Sequence, residues 1–307
     1  MRKIFKIAVL SGKGGVGKSM IASSLAILFS KKFKVIALDC DVDAPNLAVW
    51  LNEIGDWQRK IPVSTSLLPE IDYGKCNGCG ACSKICKFGA IEMKRQKTAR
   101  NDVRLLPKVN RFLCEGCGAC EIVCPQNAIK LKPVQNGEIR TKKTRYDFPL
   151  VSGSLFPGQT GSGKIVSELK EEAEDLLNKK NIIGKIIQIS DCAPGTGCPV
   201  NACLKDADFV LLVTEPSLSG FSDLKKVLEV VKYFNVPYAA VLNKWDVNED
   251  ISRKIEKWAG KRFLGKISYD KKIFKAISNL IPIMETSLKA KEEIYSIYLK
   301  LIAYFKI

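Results

Sequence analysis

Histidine does not occur anywhere in the 307 residues. Its absence removes imidazole as a metal ligand, general base or proton shuttle, so any soft metal has to be held by thiolates. Long apolar runs are missing as well: no stretch reaches the ~20 residues that a membrane-spanning helix needs. The opening MRKIFKIAVLSGKGG has basic and apolar residues like a secretory signal. Lys6 interrupts it, no small-residue cleavage site follows, and it runs directly into glycines. It reads as a first β-strand, and the chain as cytoplasmic, with no membrane association expected. Acidic residues are in deficit, 32 against 49 Lys and Arg, for a formal charge of +17. A lysine-rich solvated surface accounts for most of that excess. No nucleic-acid module or aromatic-basic interleaving is present, so no nucleic-acid partner is expected.

Cysteine, by contrast, is abundant, with twelve residues. Eight form two combs, CNGCGACSKIC from Cys76 to Cys86 and CEGCGACEIVC from Cys114 to Cys124. Such tight, regular spacing points to metal or redox chemistry rather than to disulfides, and a zinc ribbon would want four ligands in two pairs. The glycines at 78, 80, 116 and 118 let the backbone fold around a compact cofactor and aim amides at its sulfurs. The spacing resembles that of bacterial two-cluster ferredoxins, in which the fourth cysteine of each comb ligates the other comb's cluster. The resemblance implies two [4Fe-4S] clusters, one on Cys76, Cys79, Cys82 and Cys124, the other on Cys114, Cys117, Cys120 and Cys86. Pro125 follows the second comb as in those ferredoxins, whereas Lys87 stands after the first. Ala90-Ile91 and Ala128-Ile129 repeat too, as short strands over the clusters. Between residues 73 and 132 twelve basic residues meet four acidic ones. Two cubanes offset about half of that balance, which leaves an acidic electron donor or acceptor as the natural partner.

Upstream of the combs, the apolar run IFKIAVL is followed by GKGGVGKS, Gly12 to Ser19, and then by helix-like MIASSLAILF. Strand, G-x-x-x-x-G-K-S and helix in that order make a phosphate-binding loop. Gly12, Gly14, Gly15, Val16 and Gly17 supply backbone amides, Lys18 reaches the terminal phosphates, and Ser19 can ligate Mg2+. The extra Lys13 resembles the deviant Walker A lysine of the MinD/ParA superfamily, which includes Mrp-type iron–sulfur carriers. The resemblance implies an ATP-dependent homodimer in which Lys13 reaches the partner's phosphates.

The strand in KVIALDCDVDAPNL ends in Asp39, Asp41 and Asp43, acids at the carboxyl end of a parallel strand, where ligands bind. Asp41 is the first choice to position the attacking water, with Asp39 and Asp43 as alternatives or as magnesium-side ligands. IIGKIIQISD is another buried strand; DCAPGTG after it resembles the superfamily's second switch, with Asp191 sensing magnesium and Gly195 as hinge. FVLLVTE and YAAVLNK read as further strands. NKWD, Asn243 to Asp246, resembles the adenine-contacting loop, although N-K-x-D also reads guanine in GTP-binding proteins; the deviant loop favours ATP. FLGKISYD resembles the final strand beside the base. GQTGSGK at 158–164 carries Ile165 where magnesium would need Ser or Thr, and VSGSLFP before it is not a clean strand; it reads as a turn opening a helix over 165–178.

The stretch from Asp39 to Asp43, which resembles the superfamily's first switch, precedes the combs, and the second switch follows them. The expected organisation is therefore a P-loop ATPase domain in two parts, 1–61 and 135–307, around a cluster-binding insertion over 62–134. The fold class is α/β, a mostly parallel sheet with helices on both faces, carrying a small α+β ferredoxin-like domain. Cys40 reads as a buried small hydrophobe. Cys198 and Cys203 leave open a third, intersubunit cluster, and the terminal EEIYSIYLKLIAYFKI is a helix packed on the sheet. The leading functional expectation is an ATPase, slow and partner-stimulated, that gates electron transfer through two clusters. The alternatives are an Mrp-type cluster carrier, whose partner would be an iron–sulfur apo-protein, and a MinD-like positioning ATPase.

Overall fold

The computed structural model describes residues 3–97, 103–179 and 184–305. Arg100 and Asp102 of the charge count, and Ile182 and Ile183 at the head of one expected strand, lie outside the described residues.

The first apolar run forms strand β1 (Lys3–Ser11), and the glycine loop leads into helix α1 (Lys18–Ser30). Every residue of α1 from Lys18 to Phe29 is buried, so this helix has no solvent face and lies inside the fold. Strand β2 (Lys34–Cys40) is buried after its first residue, the pattern of a strand covered on both sides. Helix α2 (Leu47–Trp50) and strand β3 (Arg59–Val63) complete this part.

The segment that follows is a repeat at an offset of 38 residues, the interval from Cys76 to Cys114. Its first half is β4 (Ser66–Ile71), α3 (Ala81–Ile85) and β5 (Ile91–Lys97); its second is β6 (Val103–Val109), α4 (Ala119–Ile122) and β7 (Ile129–Val134). The halves are intertwined, because β4 pairs antiparallel with β7 and β5 with β6. Equivalent bonds close both ends: the Asp72 amide donates to the Ala128 carbonyl at 2.8 Å, the Asn110 amide to that of Ala90 at 2.7 Å.

The chain then continues through β8 (Gly137–Lys143), β9 (Pro149–Leu155), α5 (Ser162–Lys179), β10 (Lys185–Cys192) and α6 (Cys198–Leu204). It ends with β11 (Phe209–Thr214), α7 (Leu218–Tyr233), β12 (Tyr238–Asn243), α8 (Glu249–Ala259), β13 (Phe263–Ile267), α9 (Lys271–Ser278) and α10 (Lys289–Phe305). The main sheet has nine strands in the order β13-β12-β11-β1-β10-β2-β9-β8-β3. From β13 to β9 every pairing is parallel. Two compact units result: residues 1–61, 139–154 and 162–307 form the first, 62–138 and 155–161 the second.

In the first unit α10 packs into the core through Ile294, Ile297, Tyr298 and Leu301, with the Tyr298 ring edge-on to Phe29 at 4.9 Å. No described helix is long and apolar enough to cross a membrane. One expectation is corrected. VSGSLFP, not expected as a strand, supplies most of β9, a buried strand beside β2. Its small residues answer to crowding: a Cβ on Gly153 would meet Val42 at 2.7 Å and Leu169 at 3.0 Å. The GQTGSGK turn does open α5, with Ile165 fully buried.

Candidate functional site

Strands β1, β2, β10 and β12 of the first unit end around one cavity of about 490 Å3. This is the carboxyl-end crevice in which open α/β sheets bind ligands, and its volume suits a nucleotide. Gly14, Gly15, Gly17, Lys18 and Ser19 line one side, with Lys18 and Ser19 as the first residues of α1. Gly17 has φ 92°, and a Cβ there would fall 2.2 Å from Nδ2 of Asn243, so no other residue fits. Trp50, Tyr269 and Phe274 add aromatic surface against which a base could stack.

The charges of the crevice are arranged around Lys18. Its Nζ donates to Oδ1 of Asp191 at 2.7 Å and lies 3.8 Å from Oδ2 of Asp41. Burial alone would lower the Lys18 ammonium's pKa, but Asp191 and then Asp41 outweigh it and hold the pKa above the usual lysine range. Asp41 lines the cavity, and burial pushes its carboxyl up. Asp39 is fully buried behind it, holding the Leu47 amide at 2.9 Å, and burial followed by the Asp191 charge raises it strongly. Oδ1 of Asp39 and Oδ2 of Asp191 are buried without a hydrogen-bond partner among the described residues. Neither Asp39 nor Asp191 lines the crevice itself, but Asp191 is bonded to Lys18, which does, and two such orphaned carboxylate oxygens fit a hydrated magnesium ion that would satisfy them. Asp43 is exposed and does not line the crevice.

Lys13 turns to its own chain. Its Nζ is 2.6 Å from Oε1 of Glu215 and within reach of the Ser217 and Ser219 hydroxyls at 3.4 and 3.5 Å. Glu215 also holds Lys244 at 3.0 Å, and Lys244 donates to the Gly15 carbonyl at 3.0 Å. Neither Glu215 nor Lys244 was singled out from the sequence as a site residue. Glu215 directly follows β11, and nothing local to it in the sequence announces its lysine partners. Asn243 donates from Nδ2 to the Val16 carbonyl at 2.8 Å, so it braces the loop that it also helps to line. Asp246 accepts the Tyr269 amide at 2.7 Å and secures the 268–270 turn.

The combs lie in the second unit, where their cysteines gather in two small hollows. Cys76, Cys79, Cys82 and Cys124 line one. Cys86, Cys114, Cys117 and Cys120 line the other. Each hollow thus takes three thiols from one comb and the last thiol of the other. The Ala90 amide donates to Sγ of Cys86 and the Ala128 amide to Sγ of Cys124, both at 3.3 Å. Gly78 and Gly116 have φ 76° and 64°, and a Cβ on either would fall 2.5 Å from a carbonyl oxygen, of Leu105 and Leu67 respectively. Burial pushes the Cys82, Cys114 and Cys120 thiols up. Among the described residues no three metal-binding side chains converge on a point where a single ion could sit. A cubane requires no such point, since each of its four irons takes one thiolate at its own corner. An all-thiol donor set, split four and four, with amides aimed at sulfur, fits two such groups.

The other cysteines lie in the first unit. Cys40, Cys192 and Cys203 are buried, and Cys198 is exposed. Cys198 and Cys203 therefore face different surroundings although both lie on α6.

A family model described as the CobQ/CobB/MinD/ParA nucleotide binding domain matches residues 7–283. An uncharacterized protein of Methanocaldococcus jannaschii is 37% identical over 298 residues, 97% of this chain and 96% of that protein. An iron–sulfur cluster carrier protein of Pyrococcus horikoshii is 25% identical over 306 residues, 91% of this chain and 79% of that protein. Among solved structures, the septum site-determining protein MinD of Pyrococcus horikoshii with Mg-ADP aligns with a TM-score of 0.57 at 16% identity, covering 99% of both chains.

Proposed function

Because this chain belongs to the CobQ/CobB/MinD/ParA nucleotide-binding family, we propose that it is an ATP-hydrolysing iron–sulfur protein. In this reading a ferredoxin-like insertion passes electrons under the control of nucleotide-dependent dimerisation. The observation that carries it is the pair of hollows, each lined by four cysteines drawn from both combs, in a chain that also has a P-loop crevice. Bound clusters would supply one-electron storage at low potential. Members of the MinD/ParA family hydrolyse ATP and dimerise around it, and both properties are proposed for this chain.

The roles of the side chains follow from their positions. Lys18 exchanges Asp191 for the terminal phosphates, which leaves Asp191 free, and Ser19 and Asp191 are the groups that would hold a magnesium ion. Asp41, at the crevice wall, orients the attacking water. Lys13 leaves Glu215 for the phosphates of a second copy. ATP is favoured over GTP because one oxygen of Asp246, the acid that would read guanine, is already committed to the Tyr269 amide.

Coupling follows from chain order: the insertion lies between Asp41 and Asp191, so movement of either on binding the terminal phosphate pulls on its connections. The test is to titrate the clusters by electron paramagnetic resonance with no nucleotide, with ADP and with a non-hydrolysable ATP analogue. A shift of roughly 60 mV for a one-electron couple, about 1.4 kcal/mol, is expected between states. Identical potentials and identical electron-transfer rates in all three states would end the gating idea. A second reading, cluster delivery, draws on the relatives named iron–sulfur cluster carrier protein. Rapid transfer of intact clusters to an apo-protein would favour it.

A further inference from the structure

We propose that Glu215 is a latch on Lys13, one that has to open before ATP can join two copies of the chain; this inference rests on the ATP-dimer part of the reading above. Glu215 directly follows β11 and does not line the crevice, so it acts through the two lysines it holds and not on nucleotide itself. Its carboxylate oxygens are divided between them. Oε1 takes Lys13 at 2.6 Å, and Oε2 takes Lys244 at 3.0 Å.

The two lysines differ in what else holds them. Lys244 donates from Nζ to the Gly15 carbonyl and from its amide to Oδ1 of Asn243, both at 3.0 Å. Asn243 in turn donates to the Val16 carbonyl at 2.8 Å, so this corner is tied to two successive residues of the phosphate loop. Lys13 has weaker alternatives. Besides Glu215, its Nζ meets among the described residues only the Ser217 and Ser219 hydroxyls, at 3.4 and 3.5 Å, which is long for a hydrogen bond. Its backbone is fixed, because the Ser11 hydroxyl donates to the Lys13 carbonyl at 2.9 Å and a Cβ on Gly12 would fall 2.4 Å from the Asp223 backbone. Only the side chain can swing, and one ion pair restrains it.

Glu215 is placed just as firmly. Its carbonyl accepts the Ser217 amide at 2.9 Å, and Gly220 packs so close that a Cβ there would fall 2.9 Å from the same oxygen. The Glu215 side chain is only 19% exposed. Burial alone would raise its carboxyl; the bonds to Lys13 and then Lys244 outweigh that and hold it below the usual range. It is therefore ionised, and poorly screened, where it meets Lys13.

One oxygen is thus the latch and the other the brace. When Lys13 turns away, Glu215 keeps Lys244 and is not left as an unpaired buried charge, while Lys244 keeps Gly15. The phosphate loop stays held through the exchange. Without a partner's nucleotide, Lys13 is engaged at home. A triphosphate on a second copy carries more negative charge than one carboxylate and can draw it off, so the strength of the Lys13–Glu215 pair sets the threshold for dimerisation.

The test uses the full chain, purified anaerobically, and two readouts. Without nucleotide, reductive methylation followed by mass spectrometry reports how free Lys13 is, with exposed Lys31 as the internal reference. Glu215→Gln should label Lys13 about fivefold faster, and Glu215→Asp, which keeps the charge, should fall between it and wild type. In sedimentation velocity, the concentration of a non-hydrolysable ATP analogue that gives half-maximal dimer should fall about fivefold in Glu215→Gln. ADP binding, by calorimetry, should weaken more in Glu215→Ala than in Glu215→Gln, since only alanine removes the acceptor for Lys244. Unchanged Lys13 labelling in Glu215→Gln would overturn the latch. So would faster labelling with the same or a higher analogue requirement for dimers. Equal ADP affinities in the alanine and glutamine variants would overturn the brace. A wild-type chain that stays monomeric with the analogue, while Lys13 labelling still responds to Glu215→Gln, would remove the ATP-dimer reading and the threshold with it.

Discussion

The two units are held together by different means. The first has an extensive apolar core, in which Ile7, Leu25, Phe29 and Phe209 are at most 1% exposed. Burying each such side chain contributes about 1.5–3 kcal/mol. The core of the second is Cys82, Ile91, Cys120 and Ile129, with Ile71, Cys86, Val109 and Cys124 partly buried against it. Half of those residues are cysteines, and a unit of this small size has little apolar core to rely on without a metal or a covalent staple. The contrast teaches that the residues proposed to hold clusters are also the centre of the second unit's packing. If the proposed clusters are held there, the second unit's fold is coupled to them, whereas the first unit has an apolar core of its own.

The largest expected effect breaks this comparison outright. Stripping iron with a chelator under oxidation should leave residues 62–138 sensitive to protease while the nucleotide unit stays resistant, read by limited proteolysis and mass spectrometry. Equal resistance of both units after stripping would show that the second core suffices alone. Next, Phe29→Ala should destabilise the first unit by about 3–5 kcal/mol in urea unfolding, because it empties a site wedged against Tyr298. The cluster signals should be unchanged, since the second unit owes nothing to that core.

Lys18→Ala should weaken ATP binding by roughly a hundredfold or more, through loss of charge-assisted contacts to phosphate. Calorimetric titration would detect it, with iron content again unaffected. Lys13→Ala should keep nucleotide affinity within about tenfold and lose ATP-dependent dimers in analytical ultracentrifugation, if the lysine acts on a second copy. A normal ATP dimer in that variant would assign Lys13 to its own chain, where Glu215 already holds it.

The smallest effect concerns Asp206, which meets Lys170 and Lys6 beneath α5 and α6. Burial alone would raise its carboxyl; the bonds to Lys170 and then Lys6 outweigh that and hold it below the usual range. A depressed folded pKa stabilises above the unfolded value, near pH 4, and that contribution is lost as pH falls through the folded value. Asp206→Asn should therefore cost about 1 kcal/mol at neutral pH, discounted for its partial exposure, and flatten the acid limb of the stability curve below about pH 4. An unchanged limb would assign the acid sensitivity to other carboxylates.

Much of the first unit could be read from local pattern. The apolar runs that became β1, β2, β11 and β12 are continuous because both faces of the strands are covered, and GKGGVGKS sits between strand and helix as its chemistry requires. Strand β9 was not legible, because PLVSGSL trades bulky residues for Ser and Gly, and the reason lies in the side chains of Val42 and Leu169, distant in sequence. Glu215 was missed for a similar reason. Its role depends on Lys13 and Lys244, about two hundred residues before it and about thirty after it.

By itself the sequence determined whatever depends on near neighbours: strand and helix periodicity, the phosphate loop, the doubled comb and the exclusion of histidine chemistry. Only the tertiary structure decided which groups meet across long separations. Pairing of β4 with β7 and of β5 with β6 brings the last cysteine of each comb to the other comb's hollow. Packing of strand ends sets Lys18 between Asp191 and Asp41 and turns Lys13 toward Glu215. The physical reason is that hydrogen-bond geometry and hydrophobic period act over a few residues. A buried charge or thiol, in contrast, takes its partner from whatever the sheet brings within a few ångströms.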